Sequence, residues 1–131
     1  MALPIFVDTS AWIAVADSSE SNHSKVTTVY KQLLKSSVRL ITSDLVVAES
    51  QILLRRRMGS DAANIFLDSV NHSPSIEIVF LDQELELAAR KFLEKYSDQE
   101  LSFADAASFA IMKIRKMRTA FTLDRNFAIA G

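Results

Sequence analysis

The chain contains no cysteine in its 131 residues, which removes disulfide frameworks, thiolate zinc sites and thiol nucleophiles from consideration. That absence agrees with a reducing compartment, and a cytoplasmic location is the expectation. Only two glycines and two prolines are present, and no stretch rich in Gly, Pro or Ser marks a linker or a domain boundary. Histidine is as scarce, at two residues, so zinc is further disfavoured. No sign of charge dominates. Fifteen Lys plus Arg stand against sixteen Asp plus Glu, a net charge of −1, so any surface for nucleic-acid phosphates must be a local patch. Long apolar runs are missing as well. The apolar stretches are short and broken by charge, and Met1-Ala2-Leu3-Pro4 lacks the basic flank and apolar run of a signal peptide, so neither a membrane span nor a leader is expected.

What is present is a hydrophobic content of 49%, high enough that strands covered on both faces are expected. The length suits one domain spanning residues 1–131 with a core that needs no staple. Short, β-branched or aromatic runs predict strands at Leu3 to Val7, Val38 to Thr42, Ile76 to Leu81 and Thr119 to Leu123. Between them, Thr9 or Ser10 is placed to cap a helix through Trp12, Ile13 and Val15, and Val26, Val29, Tyr30, Leu33 and Leu34 recur at helical spacing. Ser43 or Asp44 opens a helix that ends before Gly59, Ser60 opens the next, and Asp82 begins another. Ser102-Phe103-Ala104-Asp105 has the form of a capping pattern ahead of an apolar run to Met117. Strands alternating with helices predict an α/β fold, a three-layer α/β/α sandwich with a mainly parallel central sheet.

In open parallel sheets, ligands bind beyond the carboxyl ends of the strands, where loops and helix N-termini converge. Asp8 directly follows the first expected strand and Asp124 the last. Asp105 falls in the first turn of a helix, and Glu49 about a turn into the helix after the second strand. All four are placed to face one cleft. Carboxylates crowded together repel and raise at least one pKa unless a cation compensates. Oxygen-only ligation of this kind suits Mg2+ or Mn2+, whose chemistry at a phosphate is activation of water and neutralisation of developing charge, as in phosphodiester hydrolysis. Two of the acids also have a plain structural reading: Asp8 as a helix cap, and Asp105 as a first-turn acid favoured by the helix dipole. Glu49 is harder to explain that way, because it interrupts the apolar stretch Leu45 to Leu54 and buried, unpaired glutamates are rare.

Four stretches carry a family resemblance. Ile5-Phe6-Val7-Asp8-Thr9-Ser10-Ala11-Trp12 resembles the first strand and metal-binding Asp of the PIN-domain ribonucleases, and Leu45-Val46-Val47-Ala48-Glu49 resembles the helix that holds their second acid. Leu101 to Ala110, with Asp105, is similar to the third motif and is the most specific of the set. Ala120 to Phe127, with Asp124, is similar to the fourth. In this order they resemble in particular the VapC-type toxins of toxin-antitoxin pairs. The resemblance implies Mg2+- or Mn2+-dependent endonucleolytic cleavage of RNA, with Asp8, Glu49, Asp105 and Asp124 as catalytic and metal-binding residues. It also implies a homodimer and a VapB-like antitoxin partner. Family members often continue further past the fourth motif than Gly131 does here.

Other residues have two readings each. Ser10 is placed to cap a helix or, in a functional role, to orient Asp8 or hydrogen-bond a metal water, and Thr122 and Asn126 flank Asp124 with either metal-water or phosphate contacts or packing and turn roles. Asp98 is expected in a solvated loop. The clusters Arg55-Arg56-Arg57 and Lys113, Arg115, Lys116 and Arg118 end helices, where the dipole favours cations regardless of function; a cluster near the cleft would hold RNA phosphates. His23 and His72 are expected at the surface, and Trp12, Phe103 and Phe109 in the core. A haloacid-dehalogenase-like phosphohydrolase fits poorly, since Ser10 stands where that class wants an acid two positions after Asp8, and a receiver domain lacks its paired acids. A non-catalytic PIN-like module that binds RNA or protein is the remaining alternative, and retention of all four acids argues against it.

Overall fold

The computed structural model describes residues 3–124 and Phe127. Along the chain these form β1 (Ile5–Val7), α1 (Thr9–Ala16), α2 (His23–Lys35), β2 (Leu40–Ser43), α3 (Asp44–Met58), α4 (Ser60–His72), β3 (Ile76–Val79), α5 (Gln83–Lys95), α6 (Phe103–Ile114) and β4 (Ala120–Phe121). The sheet has the order β3-β2-β1-β4 with every pairing parallel, in a register that sets Phe6 beside Ile41 on one side and Ala120 on the other. This is the expected α/β/α sandwich. The chain steps outward from β1 to β2 to β3, then crosses back to β4 on the far side of β1. That reversal puts a crevice between the carboxyl ends of β1 and β4, where open parallel sheets bind ligands.

Pairing rather than hydrophobicity sets the strand ends. Leu3 is 74% exposed and stays outside β1. At β4, only Ala120 and Phe121 remain of the expected Thr119 to Leu123, and its carboxyl end stops early because the backbone N–H of Leu123 turns away to the Ser10 hydroxyl at 2.8 Å. The core joins Phe6, Val7, Leu40 and Ile41 of the strands to Trp12, Val46, Leu54, Phe66 and Ile111 of the helices. Burying such a side chain contributes about 1.5–3 kcal/mol. Trp12 stacks edge-on against Tyr30 and Phe66; its indole N–H donates to Thr42 Oγ1 at 3.2 Å, and that hydroxyl donates to the Val7 carbonyl at 2.9 Å, so both buried polar groups are satisfied. Phe109 is buried as expected, whereas Phe103 is 36% exposed on the first turn of α6.

Three helix starts follow the expected caps. Ser43 accepts from the Val46 N–H, Asp82 from that of Leu85, and Ser102 and Asp105 bond reciprocally as a capping box. Helices α2 and α4 start without a side-chain cap bond, and α1 departs from the expectation. Neither Thr9 nor Ser10 caps it; Asp8 does, accepting from the Ala11 N–H. Helix α6 stops at Ile114, short of Met117, in a Schellman turn. Lys116 takes a left-handed φ of 54°, its N–H returns to the Lys113 carbonyl at 3.2 Å, and the Met117 N–H returns to that of Met112 at 2.8 Å. Among the described residues, no helix is long and apolar enough to cross a membrane.

Candidate active site

Asp8 leaves β1 at the carboxyl end of the sheet and is only 3% exposed. Its Oδ1 accepts from Ser10 Oγ at 2.8 Å and from the Ala11 N–H at 3.2 Å, and its Oδ2 accepts from Thr122 Oγ1 at 2.7 Å. The two hydroxyls then accept from backbone beyond β4: Ser10 from the Leu123 N–H at 2.8 Å, Thr122 from the Asp124 N–H at 2.9 Å. A hydroxyl has one proton and two lone pairs. Spending the proton on Asp8 leaves the lone pairs for the backbone, so Ser10 and Thr122 stitch the end of β1 to the end of β4. The two readings of Ser10 therefore separate: the carboxylate caps the helix and Ser10 orients the carboxylate.

The other three acids arrive from three further segments. Glu49 projects from the second turn of α3, and its Oε1 accepts from Thr9 Oγ1 at 2.5 Å. Asp105 sits in the first turn of α6, where its Oδ2 accepts from the Ser102 N–H at 3.3 Å as its own N–H donates to Ser102 Oγ at 3.0 Å. Asp124 follows β4 and is half-buried. All four line one open cleft of about 350 Å³, together with Thr9, Ser10, Ser102, Glu20, Glu100 and Arg57.

Burial and neighbouring charge act on two of these acids. Burial holds the Asp8 carboxyl above its ordinary value; the hydrogen bonds from Thr122, Ser10 and Ala11 oppose that rise, and the charge of Asp124 adds to it. Asp105 is raised too, foremost by burial and further by the charges of Asp124 and Glu49, against its bonds to Ser102. Asp124 thus acts on both Asp8 and Asp105 across the cleft. Among the described residues no ion pair reaches Asp8, Glu49 or Asp105. Nor, among them, do three acids close into a ready-made ligand cluster. An oxygen-only donor set lining an open cleft fits a hard divalent cation that retains several waters and takes one or two carboxylates directly.

The remaining expectations divide. Asp98 is exposed and contacts its neighbour Gln99, and Glu100 rather than Asp98 lines the cleft. His23 bonds the Ala14 carbonyl at 2.7 Å and His72 is exposed; neither lines the cleft. Lys113 and Arg118 flank a separate hollow beside Phe92 and Phe109, and Arg115 pairs with Glu77 at 2.8 Å. Asn126 lies outside the described residues. Sequence reasoning missed Thr9 as the partner of Glu49, and missed Arg57 as a cleft residue distinct from Arg55 and Arg56. A signal for Arg57 existed: Glu49, Leu53 and Arg57 recur at i, i+4 and i+8, one face of α3. Glu20, in a polar loop, offered none.

Comparison with known proteins places this geometry in context. The PIN domain family matches residues 5–131. A curated relative from Mycobacterium tuberculosis, named 23S rRNA-specific endonuclease VapC20, is 33% identical over 97% of this chain and 94% of its own. Ribonuclease VapC26 from the same organism is 34% identical over 92% of this chain and 87% of its own. The crystal structure of M. tuberculosis VapC20, described as a Sarcin-Ricin loop cleaving toxin, superimposes with a TM-score of 0.88 at 31% identity, covering 97% of this chain and 95% of that one. FitAcB from Neisseria gonorrhoeae, at 18% identity and a TM-score of 0.66 over 96% of this chain and 91% of that one, shares the fold.

Proposed function

The chain belongs to the PIN domain family, and from that premise we propose that it is a single-domain, Mg2+- or Mn2+-dependent endoribonuclease over residues 1–131, with Asp8, Glu49, Asp105 and Asp124 as its catalytic, metal-holding residues. The observation that carries this reading is the convergence of four acids, from four separate segments, on one cleft at the reversal of strand order. The naming of the relatives as a 23S rRNA-specific endonuclease and a ribonuclease supports RNA as the substrate class.

When bound, the divalent ion supplies a nucleophilic water at neutral pH and neutralises charge on the phosphate oxygens. The chain's own residues prepare the place for it. Ser10 and Thr122 fix the direction of both Asp8 oxygens, Thr9 holds one oxygen of Glu49, and the capping box holds one oxygen of Asp105. Asp8, Glu49 and Asp105 are therefore held in place at the cleft before any ion arrives, which limits side-chain reorganisation. The same reading makes the chain the toxin of a VapBC-type pair, a homodimer whose partner is a VapB-like antitoxin. An arginine or lysine from such a partner is a natural occupant of the acidic cleft.

Purified protein is expected to cut ribosomal RNA with Mn2+ or Mg2+ and to stop on chelation. Asp105→Asn and Glu49→Gln should each lower the rate at least about 100-fold, the scale of losing one electrostatic contact in the transition state. Cleavage that persists in chelator, or in both variants, would refute the assignment. Binding of RNA without any cleavage under all metal conditions would favour the non-catalytic module.

A further inference from the structure

Six carboxylates line the cleft: Asp8, Glu20, Glu49, Glu100, Asp105 and Asp124. An ion at the reacting phosphate neutralises that phosphate, but the flanking phosphates of an RNA strand would still meet carboxylates. The molecule's net charge of −1 gives no long-range help. Among the described residues lining the cleft, Arg57 is the only basic side chain. It stands two turns beyond Glu49 on the same face of α3, about 12 Å along the helix axis, so it is set apart from the reacting phosphate and toward a flanking one.

Arg57 is held loosely. Its Nη1 lies 3.5 Å from Asp17 Oδ2 and 3.5 Å from Glu20 Oε2, and its side chain is 44% exposed. Charge-assisted bonds close to about 2.7–2.9 Å, as Arg115 does with Glu77 at 2.8 Å in this same molecule. The arm to Glu20, partly exposed on both sides at 3.5 Å, contributes little to stability, whereas the Asp17 it also faces is buried. Asp17 leans first on other donors and only then on the arginine: the hydroxyl and N–H of Ser19 both donate to its Oδ1, at 2.6 and 3.0 Å. The guanidinium has five N–H donors in a planar fork matched to phosphate, and among the described residues only Nη1 is engaged.

We propose that Arg57 is a substrate-binding residue that grips an RNA phosphate flanking the cleaved bond, and that Asp17 and Glu20 hold it at the cleft rim until RNA takes it over. This rests on the ribonuclease reading above. It assigns to the last turn of α3 a role beyond complementing the helix dipole.

The test measures equilibrium binding of a fluorescent single-stranded RNA across a range of NaCl concentrations. An Asp105→Asn background keeps the RNA intact. Adding Arg57→Gln should weaken binding about tenfold, the lower end for a charge-assisted hydrogen bond. It should also make the plot of log K against log salt shallower by about 0.7, one phosphate contact on a single strand. Arg57→Lys should restore the salt slope and only part of the affinity, and Glu20→Gln should tighten binding by freeing the guanidinium. In the otherwise wild-type enzyme, Arg57→Gln should raise KM with little change in kcat. An unchanged salt slope, or a lowered melting temperature with unchanged RNA affinity, would overturn the proposal by making Arg57 a tie between α3 and the loop after α1. Failure of the wild type to cut RNA would sink the ribonuclease reading alone, because the binding arm still decides whether Arg57 contacts phosphate.

Discussion

The two oxygens of Asp8 are used differently from those of an ordinary helix cap. A cap needs one acceptor, and Oδ1 supplies it to Ala11, yet Ser10 and Thr122 add two further donors, one to each oxygen. These donors favour the charged carboxylate and work against the burial that pushes its pKa up. Thr122→Val keeps the branched shape at the end of β4 and removes one donor, so the carboxyl should rise further, and the Asp124 N–H loses its acceptor. The expected result is a fall in activity of about tenfold or more, the usual scale for loosening a supporting group, with the acid limb of the pH–rate profile moved to higher pH. A uniform loss with no movement of that limb would assign Thr122 to packing. Asp8 was legible in the sequence because it directly follows an apolar strand. The pairing of Thr122 with Asp8 was not, since it joins residues 114 positions apart through a strand order that hydrophobic patterning does not encode.

At the level of elements, local chemistry decided what could be read. The capping box at Ser102 and Asp105 and the caps at Ser43 and Asp82 involve residues three apart, so the sequence alone carries them. Strand ends depend on partners, and β4 lost the last two of its five expected residues to the turn toward Ser10. The end of α6 was misplaced for a related reason: Met117 is buried like a continuing helical residue, but it reaches the core by way of the left-handed Lys116. A β-carbon in that region costs about 1–2 kcal/mol, and glycine is the usual residue at this position of a Schellman turn. Lys116→Gly should therefore stabilise the protein by roughly 1 kcal/mol, less the entropy glycine adds to the unfolded chain. Chemical denaturation should show a higher midpoint with an unchanged m-value; a lower midpoint would mean that the lysine charge at the helix end matters more than its backbone strain. Glu49 shows the opposite limit, since its break in an apolar stretch marked it as functional while its partner Thr9 depended on how α1 and α3 pack.

For the whole molecule, the cleft trades stability for a binding site, and pH exposes that trade. Asp8 and Asp105 are both raised in the folded protein, mainly by burial. Between the ordinary carboxyl value and the raised native ones, the folded state binds more protons than the unfolded state, so stability falls as pH rises through that window. The cost is fully present above it, at neutral pH. Asp105→Asn removes the charge and keeps the oxygen that the Ser102 N–H needs, so without divalent ions its melting temperature at pH 7 should exceed that of the wild type, and the gap should close on acidification through the window. Asp8→Asn should gain less, because Thr122 and Ser10 both donate to a carboxylate, and an amide offers an acceptor to only one side of that arrangement. Mn2+ or Mg2+ should reverse the order, raising the wild-type midpoint by binding the native state and raising that of Asp105→Asn much less. Thermal melts of the wild type and both variants, at several pH values with chelator and with excess Mn2+, separate these contributions. A lower midpoint for Asp105→Asn in chelator would show that its capping-box bond outweighs the electrostatic cost. Equal metal shifts in the wild type and Asp105→Asn would place the ion away from this cleft.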